Sequence, residues 1–225
     1  MNWFGTFLTS SIGKKFVMGL TGISLVLFLL VHCGINALIF ANDGGVLFNK
    51  AAHFMGTNII IRTMEIGLFG GILLHIVQAY ILAAGNAKAR PSKYQVNNAS
   101  ANSRWYSRSM TLLGTLILLF LIIHLKHFWV VSRFIGLEET DYGAENLFIE
   151  MQKVFANLWV VIVYLLGVIS LAWHLVHGFQ SAFQTLGLNQ QKYKALIRNA
   201  GWVYSMIISL LFALMPVAMY LEWVK

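Results

Sequence analysis

The sequence has one cysteine, two prolines and few charges, and these shortages exclude several classes of protein. The single cysteine, Cys33, cannot form a disulfide within the chain, and it cannot supply a cysteine-ligated iron–sulfur or zinc site. Charged residues make up only 11% of the chain, whereas an ordinary soluble domain has about 25%. Hydrophobic residues make up 58%. A water-soluble domain is therefore not expected.

Long apolar runs occupy the regions from which charge is missing. There are five of them, and each is long enough to cross a bilayer core at about 1.5 Å per helical residue. Too few polar residues remain to cover five such helices in water. The sequence therefore predicts an all-α fold in which residues 1–225 form a single membrane domain, a bundle of five transmembrane helices. We place the predicted spans 1 to 5 at residues 16–40, 63–84, 108–131, 157–181 and 199–221.

The remaining charges are unevenly distributed between the two sides of this predicted bundle. With the N-terminus inside, ten of the sixteen basic residues fall in the inner segments, as the positive-inside rule favours. All eight acidic residues fall on or near the outer side. We therefore expect a multi-pass protein of the inner, cytoplasmic membrane, with a cytoplasmic N-terminus and an outer C-terminus. The net charge of +8 then indicates a cationic inner face, which can dock a partner or anionic lipid, and not a nucleic-acid surface.

Two connecting segments carry their own patterns. Residues 85–107 are polar and rich in Asn and Ser, which is typical of an inner loop available to a partner. The outer segment between spans 3 and 4 has apolar residues at helical spacing, which predicts a short amphipathic helix on the membrane surface. These apolar residues are Leu147, Phe148, Met151, Val154 and Phe155.

Four of the seven histidines lie well inside predicted spans, where an ionisable side chain is costly and indicates a function. They are His32, His75, His124 and His174, one on each of spans 1 to 4. A single histidine of this kind could equally be a neutral imidazole bonded to a neighbouring helix. Four histidines on four successive helices favour a shared role instead.

The depth of each histidine follows from helix direction, because alternate spans are antiparallel. His32 and His124 lie about four residues beyond the centres of outward-running spans and share an outer level. His75 and His174 lie at or beyond the centres of inward-running spans and share an inner level, about 8 to 13 Å away. Two imidazoles at one depth match a six-coordinate haem. The pattern predicts two b-type haems, held without covalent attachment because C-x-x-C-H is absent.

A repeated H-x-x-H spacing suggests a rival interpretation of the histidines, in which they form metal-binding histidine boxes. It pairs His124 with His127 and His174 with His177. The two boxes would diverge by about 20 Å in depth. No carboxylate lies among them to complete a di-iron site. We therefore interpret His127 and His177 as groups beside the ligands or at the membrane interface.

The order of several longer stretches carries a resemblance to a known family. The chain contains, in this order, SSIGKKFVMGLTGISLVLFLLVH, FNKAAHFMGTN, LLHIVQAYILA, IIHLKHFW and LAWHLVHGFQSAFQTLG. Together they resemble the cytochrome b subunit of succinate dehydrogenase and fumarate reductase, in its single-anchor, five-helix, dihaem branch. The resemblance implies that His32 and His124 bind the outer (distal) haem, and that His75 and His174 bind the inner (proximal) haem. Helix direction gives the same pairs.

The resemblance also implies an activity and partners. This subunit anchors succinate:quinone oxidoreductase (complex II) in the membrane and passes electrons between an iron–sulfur subunit and a membrane quinone, usually menaquinone. A flavoprotein subunit interconverts succinate and fumarate. The present sequence has no Gly-rich dinucleotide fingerprint and no cysteine cluster, so dicarboxylate chemistry must belong to those partners. Its own expected part is the quinone reaction.

Two alternative functions remain open at this point. One is the cytochrome b anchor of a hydrogenase, formate dehydrogenase or nitrate reductase, in which other helices supply the histidines. The other is a haem-free channel or transporter with polar histidines. One histidine on each of the first four helices favours the first interpretation.

Three outer residues are candidates for proton handling near a distal quinone. They are Asp43, His53 and Glu65. The alternative for Glu65 is an ion pair with Arg62, three residues earlier on the first turn of span 2.

Overall fold

The computed structural model describes residues 3–88, 104–188 and 190–225, which are helical apart from short connections and one isolated β-bridge. Five of the helices are long and apolar enough to cross a membrane, which confirms the predicted number of spans. In the structure, spans 1 to 5 are Ser11–Ala41, Ile59–Lys88, Met110–Ile135, Leu158–Thr185 and Lys194–Tyr220. Most of the predicted inner loop, residues 89–103, lies outside the described residues.

Polar caps, not the edges of the apolar runs, set where several spans begin. Spans 1, 2 and 4 start directly after Ser10, Asn58 and Asn157. Each of these side chains accepts a hydrogen bond from a backbone N–H of the first turn, at 2.9–3.0 Å. Such a bond satisfies a donor that has no partner within the helix. Spans 1 and 2 therefore start four or five residues before their predicted boundaries.

In the described ranges, four short helices lie between or before the spans. They are Trp3–Thr9, Val46–Thr57, Trp105–Arg108 and Leu147–Phe155. Span 3 changes character along its length, because it is α-helical from Met110 to His124 and π-helical over Leu125–Trp129 and Val131–Ile135. π-Helical turns are rare in proteins, and those that occur are often found at functional sites.

The predicted amphipathic helix is present as Leu147–Phe155, but its apolar side is covered by protein. Phe148, Met151 and Phe155 are at most 5% exposed. They belong to the same buried cluster as Phe48, from the helix after span 1, and Met219, from the end of span 5. The predicted helix is therefore confirmed, and its apolar side packs on the end of the bundle.

A buried asparagine fastens these end segments together. Asn49 is 1% exposed, and its Oδ1 accepts a hydrogen bond from the backbone N–H of Phe148 at 3.0 Å. Its Nδ2 donates to Asn146 Oδ1 at 3.1 Å and to the Tyr142 hydroxyl at 3.4 Å. All polar atoms of this side chain are thus used to join Val46–Thr57 to Leu147–Phe155.

The five spans do not pack equally tightly. Span 4 packs closely on spans 5, 3 and 1, and span 1 packs on span 2. Within Ile59–Lys88 no residue is buried, and within Met110–Ile135 only Leu113 is. Spans 1 and 3, and spans 2 and 4, are not among the closely packed pairs. These two combinations are the ones that carry the predicted histidine pairs, so each pair meets between spans that are not in close backbone contact.

Candidate haem site

The outer pair, His32 and His124, meets across the space between spans 1 and 3. Their ring centroids are 5.8 Å apart and their planes cross at 88°. Phe28 stacks on His32 at 5.2 Å, while Phe120 and Phe128 lie 5.7 and 5.5 Å from the His124 ring. Each phenylalanine is four residues from its histidine, one helical turn away on the same face. The helix itself therefore supplies the aromatic walls.

The inner pair, His75 and His174, meets between spans 2 and 4. The ring centroids are 6.4 Å apart and the planes cross at 66°. Span 1 passes close to one ring, where a Cβ added to Gly22 would lie 3.7 Å from His75 Cε1. Span 3 passes the other, where a Cβ on Gly114 would lie 3.7 Å from His174 Cε1. Small residues thus let neighbouring helices approach both rings.

The structure brings together the same two pairs that helix direction and the family resemblance indicate. Centroid separations of 5.8 and 6.4 Å bring the two imidazoles of each pair within reach of one bound group. Imidazole nitrogen is a common metal ligand, so the two rings of each pair would be able to hold one metal ion.

Hydrogen bonding gives a further test of whether these residues fit a haem. Among the described residues, the buried Nδ1 atoms of His124 and His174 have no hydrogen-bond partner, and the same is true of Gln78 Oε1 and Ser209 Oγ. An unpaired buried polar atom can accompany a redox or ion-binding role, and of these four atoms only the two Nδ1 atoms belong to the facing histidines. The residues present, two imidazoles brought together at each of two levels, therefore fit two haems.

The histidine-box interpretation finds no support in the described part of the chain. There, no group of three or more His, Cys, Asp or Glu residues could hold a metal ion. His127 instead stacks on Tyr164 with an interplanar angle of 9°, and its Nδ1 lies 3.1 Å from the Tyr164 hydroxyl. His177 makes an edge contact with Tyr106 at 6.4 Å. Each therefore contacts a tyrosine next to the predicted ligand pairs.

Two of the three predicted proton-handling residues, Asp43 and His53, lie on or beside the helix Val46–Thr57. Asp43 Oδ2 accepts a hydrogen bond from the backbone N–H of Leu47 at 2.9 Å, at the start of Val46–Thr57. Asp43 therefore satisfies a first-turn N–H from outside the helix, while Gly45 occupies the N-cap position. His53 lies on the same helix with its side chain exposed.

Glu65 has more partners than its position in the sequence suggested. Its predicted ion pair with Arg62 is confirmed. In addition, Trp129 Nε1 donates to Glu65 Oε1 at 2.6 Å, and Arg133 lies 3.5 Å from Oε2. Trp129 and Arg133 are four residues apart on one face of span 3, which is the signal that could have nominated them together. The carboxylate therefore ties span 2 to the end of span 3.

One residue beside the inner pair was not nominated from the sequence. Thr21 Oγ1 lies 3.0 Å from His75 Nδ1, across the interface of spans 1 and 2. A lone threonine in an apolar span gives no signal of this contact.

In comparisons with known proteins, the chain matches no family model, no curated protein and no solved structure.

Proposed function

We propose that this chain is the dihaem cytochrome b membrane subunit of a succinate:quinone oxidoreductase, transferring electrons between an iron–sulfur subunit and membrane quinone. His32 with His124 would hold the outer haem, and His75 with His174 would hold the inner haem. The observation that supports the proposal is the presence of two facing histidine pairs in one five-helix bundle, with centroid separations of 5.8 and 6.4 Å. Haem b, when bound, supplies a one-electron carrier at each level.

The protein's contribution is to hold two imidazoles in opposition and to keep water away from them. Each histidine sits on a different helix, so its direction is fixed by the packing of the bundle. Phe28, Phe120 and Phe128 cover the rings of the outer pair with apolar surface. Burial and axial ligation are the means by which a protein sets the reduction potential of such a centre.

The charges support the proposed orientation and partners. In the cytoplasmic membrane with the N-terminus inside, the inner ends of spans 1 and 5 expose Lys15, Lys194 and Arg198. Such a cationic surface suits docking of the iron–sulfur subunit, which in turn binds the flavoprotein subunit. The substrate in the membrane is a quinone, for which menaquinone is our proposal.

Haem content tests the ligand assignment directly. Purified full-length protein should contain two b haems per chain and show a reduced b-type α-band. His75→Ala and His174→Ala should each lose one haem, because one axial bond is removed from the inner centre. His127→Ala is the matched control, since His127 is bonded to Tyr164, and it should keep both. A protein without the α-band, or His174→Ala with two haems, would contradict the proposal.

Partner identity tests the choice among quinone-linked enzymes. The tagged chain should co-purify with a flavoprotein and an iron–sulfur protein, and the complex should couple succinate and fumarate to a quinone. The partners alone should reduce artificial dyes but not quinone. Co-purification of hydrogenase or formate dehydrogenase subunits, or equal quinone activity without this chain, would count against the assignment.

A further inference from the structure

A threonine hydroxyl in span 1 lies within hydrogen-bond distance of a predicted ligand on span 2. Thr21 Oγ1 is 3.0 Å from His75 Nδ1. The same oxygen is 2.9 Å from the backbone carbonyl oxygen of Val17 and 3.2 Å from that of Met18. It therefore stands between the backbone of its own helix and the imidazole of the neighbouring helix.

The hydrogen inventory of this group decides which atom donates. A threonine hydroxyl has one hydrogen and two lone pairs. Donation of that hydrogen to Val17 O, the usual bond of a helical threonine, leaves Oγ1 free to accept from His75 Nδ1–H. This arrangement makes two hydrogen bonds, whereas donation from Thr21 to His75 makes one and abandons the carbonyl. His75 then carries its proton on Nδ1 and keeps the lone pair of Nε2.

We propose that Thr21 is a positioning residue for the inner haem. This inference rests on the proposed function, because it assumes that His75 Nε2 is an axial ligand. The bond to Thr21 selects the tautomer that can bind iron and fixes the orientation of the ring. A donated Nδ1–H also makes Nε2 more basic, which favours the oxidised iron and lowers the potential of the inner centre.

The other predicted ligands lack an equivalent oxygen acceptor. His124 Nδ1 and His174 Nδ1 are buried without a partner in the part of the chain that the structure describes. His32 Nδ1 lies 3.4 Å from Asn36 Nδ2, an amide nitrogen that donates to the carbonyl oxygen of His32 at 2.8 Å. Removal of the Thr21 hydroxyl should therefore change the inner centre and leave the outer centre as it is.

Three variants of the intact complex separate the effect of the Thr21 hydroxyl group from the effect of side-chain volume. Thr21→Val keeps the shape and removes the acceptor, and Thr21→Ser keeps the acceptor. Ser24→Ala is the control, because Ser24 Oγ donates to Leu20 O of the same helix at 3.1 Å. Spectroelectrochemical titration gives both midpoint potentials, and low-spin electron paramagnetic resonance reports ligand orientation. The signals lost in His174→Ala identify the inner centre.

Thr21→Val should raise the inner potential and shift its low-spin signal, while Thr21→Ser and Ser24→Ala behave as wild type. Loss of a hydrogen bond to a metal-bound histidine costs about 10–100-fold in metal affinity, and a tenfold loss confined to the oxidised state equals about 59 mV. If Thr21→Val loses the inner haem, Thr21→Ser should restore it.

Unchanged potentials in Thr21→Val, or equal shifts in Thr21→Val and Thr21→Ser, would overturn the role of the hydroxyl. Those outcomes require wild-type protein that binds both haems. A wild type without haem would instead refute the proposed function, so the two failures are distinguishable.

Discussion

Gly167 is the position at which an added methyl group should most clearly disturb the bundle. It lies in span 4, directly against Phe120 of span 3. A Cβ there would lie 2.5 Å from Phe120 Cγ, 2.6 Å from Cδ2 and 3.1 Å from Cβ. Carbon atoms in contact are about 3.5–4.0 Å apart, so the overlap is about 1 Å. Rotation of the ring cannot remove it all, because Phe120 Cβ is itself too close. Spans 3 and 4 must therefore separate in Gly167→Ala.

The size of the effect follows from two opposing terms. Overpacking a filled interior costs about 1–3 kcal/mol. Replacement of glycine by alanine inside a helix gains up to about 1 kcal/mol. Gly34→Ala in span 1 isolates the second term, because nothing lies within 4 Å of its Cβ position. Gly167→Ala should therefore be less stable than Gly34→Ala by about 1–3 kcal/mol.

Thermal unfolding in one detergent measures this difference without reference to any cofactor. For a chain of this length, 1 kcal/mol corresponds to about 2–4 °C, so Gly167→Ala should melt about 2–12 °C below Gly34→Ala. Gly201→Ala should fall between them, since a Cβ there would lie 2.8 Å from Phe179 Cδ1 but 3.4 Å from its Cβ, and the ring can turn away. A Gly167→Ala protein that melts at or above Gly34→Ala would refute the packing argument.

Two further substitutions test the polar contacts at the end of the bundle. Asn49→Ala leaves the buried N–H of Phe148 without its acceptor and should cost about 1–3 kcal/mol, seen as a lower melting temperature and faster proteolysis after span 3. Wild-type resistance would show that water replaces the bond. Glu65→Gln removes the charge that faces Arg133, and because Glu65 is only 18% exposed, the loss should cost about 1–3 kcal/mol of stability. The same change should alter the fluorescence of Trp129, which donates to this carboxylate. Unchanged stability and fluorescence would contradict the role of Glu65 in tying span 2 to span 3.

The histidine pairs could be predicted because they depend on one strong constraint. A chain that crosses a membrane five times reverses direction at each crossing, so sequence offsets convert directly into depth. His32 and His124 could be matched on that basis without knowledge of any contact. The same reasoning placed His75 with His174. Span number was equally accessible, because apolar length is a property of the chain alone.

Contacts between segments could not be read in this way. Periodicity identified the apolar side of Leu147–Phe155 but not that the end of the bundle covers it. Glu65 was matched with Arg62 because both lie on one helical turn. Trp129 comes from a different span and meets Glu65 only through tertiary packing. Thr21 was missed for the same reason.

Polar side chains within the spans meet their hydrogen-bond demand in different ways. Ser170 and Ser205 donate to carbonyl oxygens four residues earlier, at 3.0 and 2.6 Å, so their own helix satisfies them. An imidazole in the bundle interior is larger and seeks its partners on another helix, as His127 does with Tyr164. The buried Nδ1 atom of His174 has no partner among the described residues, and its ring centroid lies 6.4 Å from that of His75. An unpaired polar group costs free energy in an apolar interior, and the proposed function accounts for a histidine at this position by the group that it would hold.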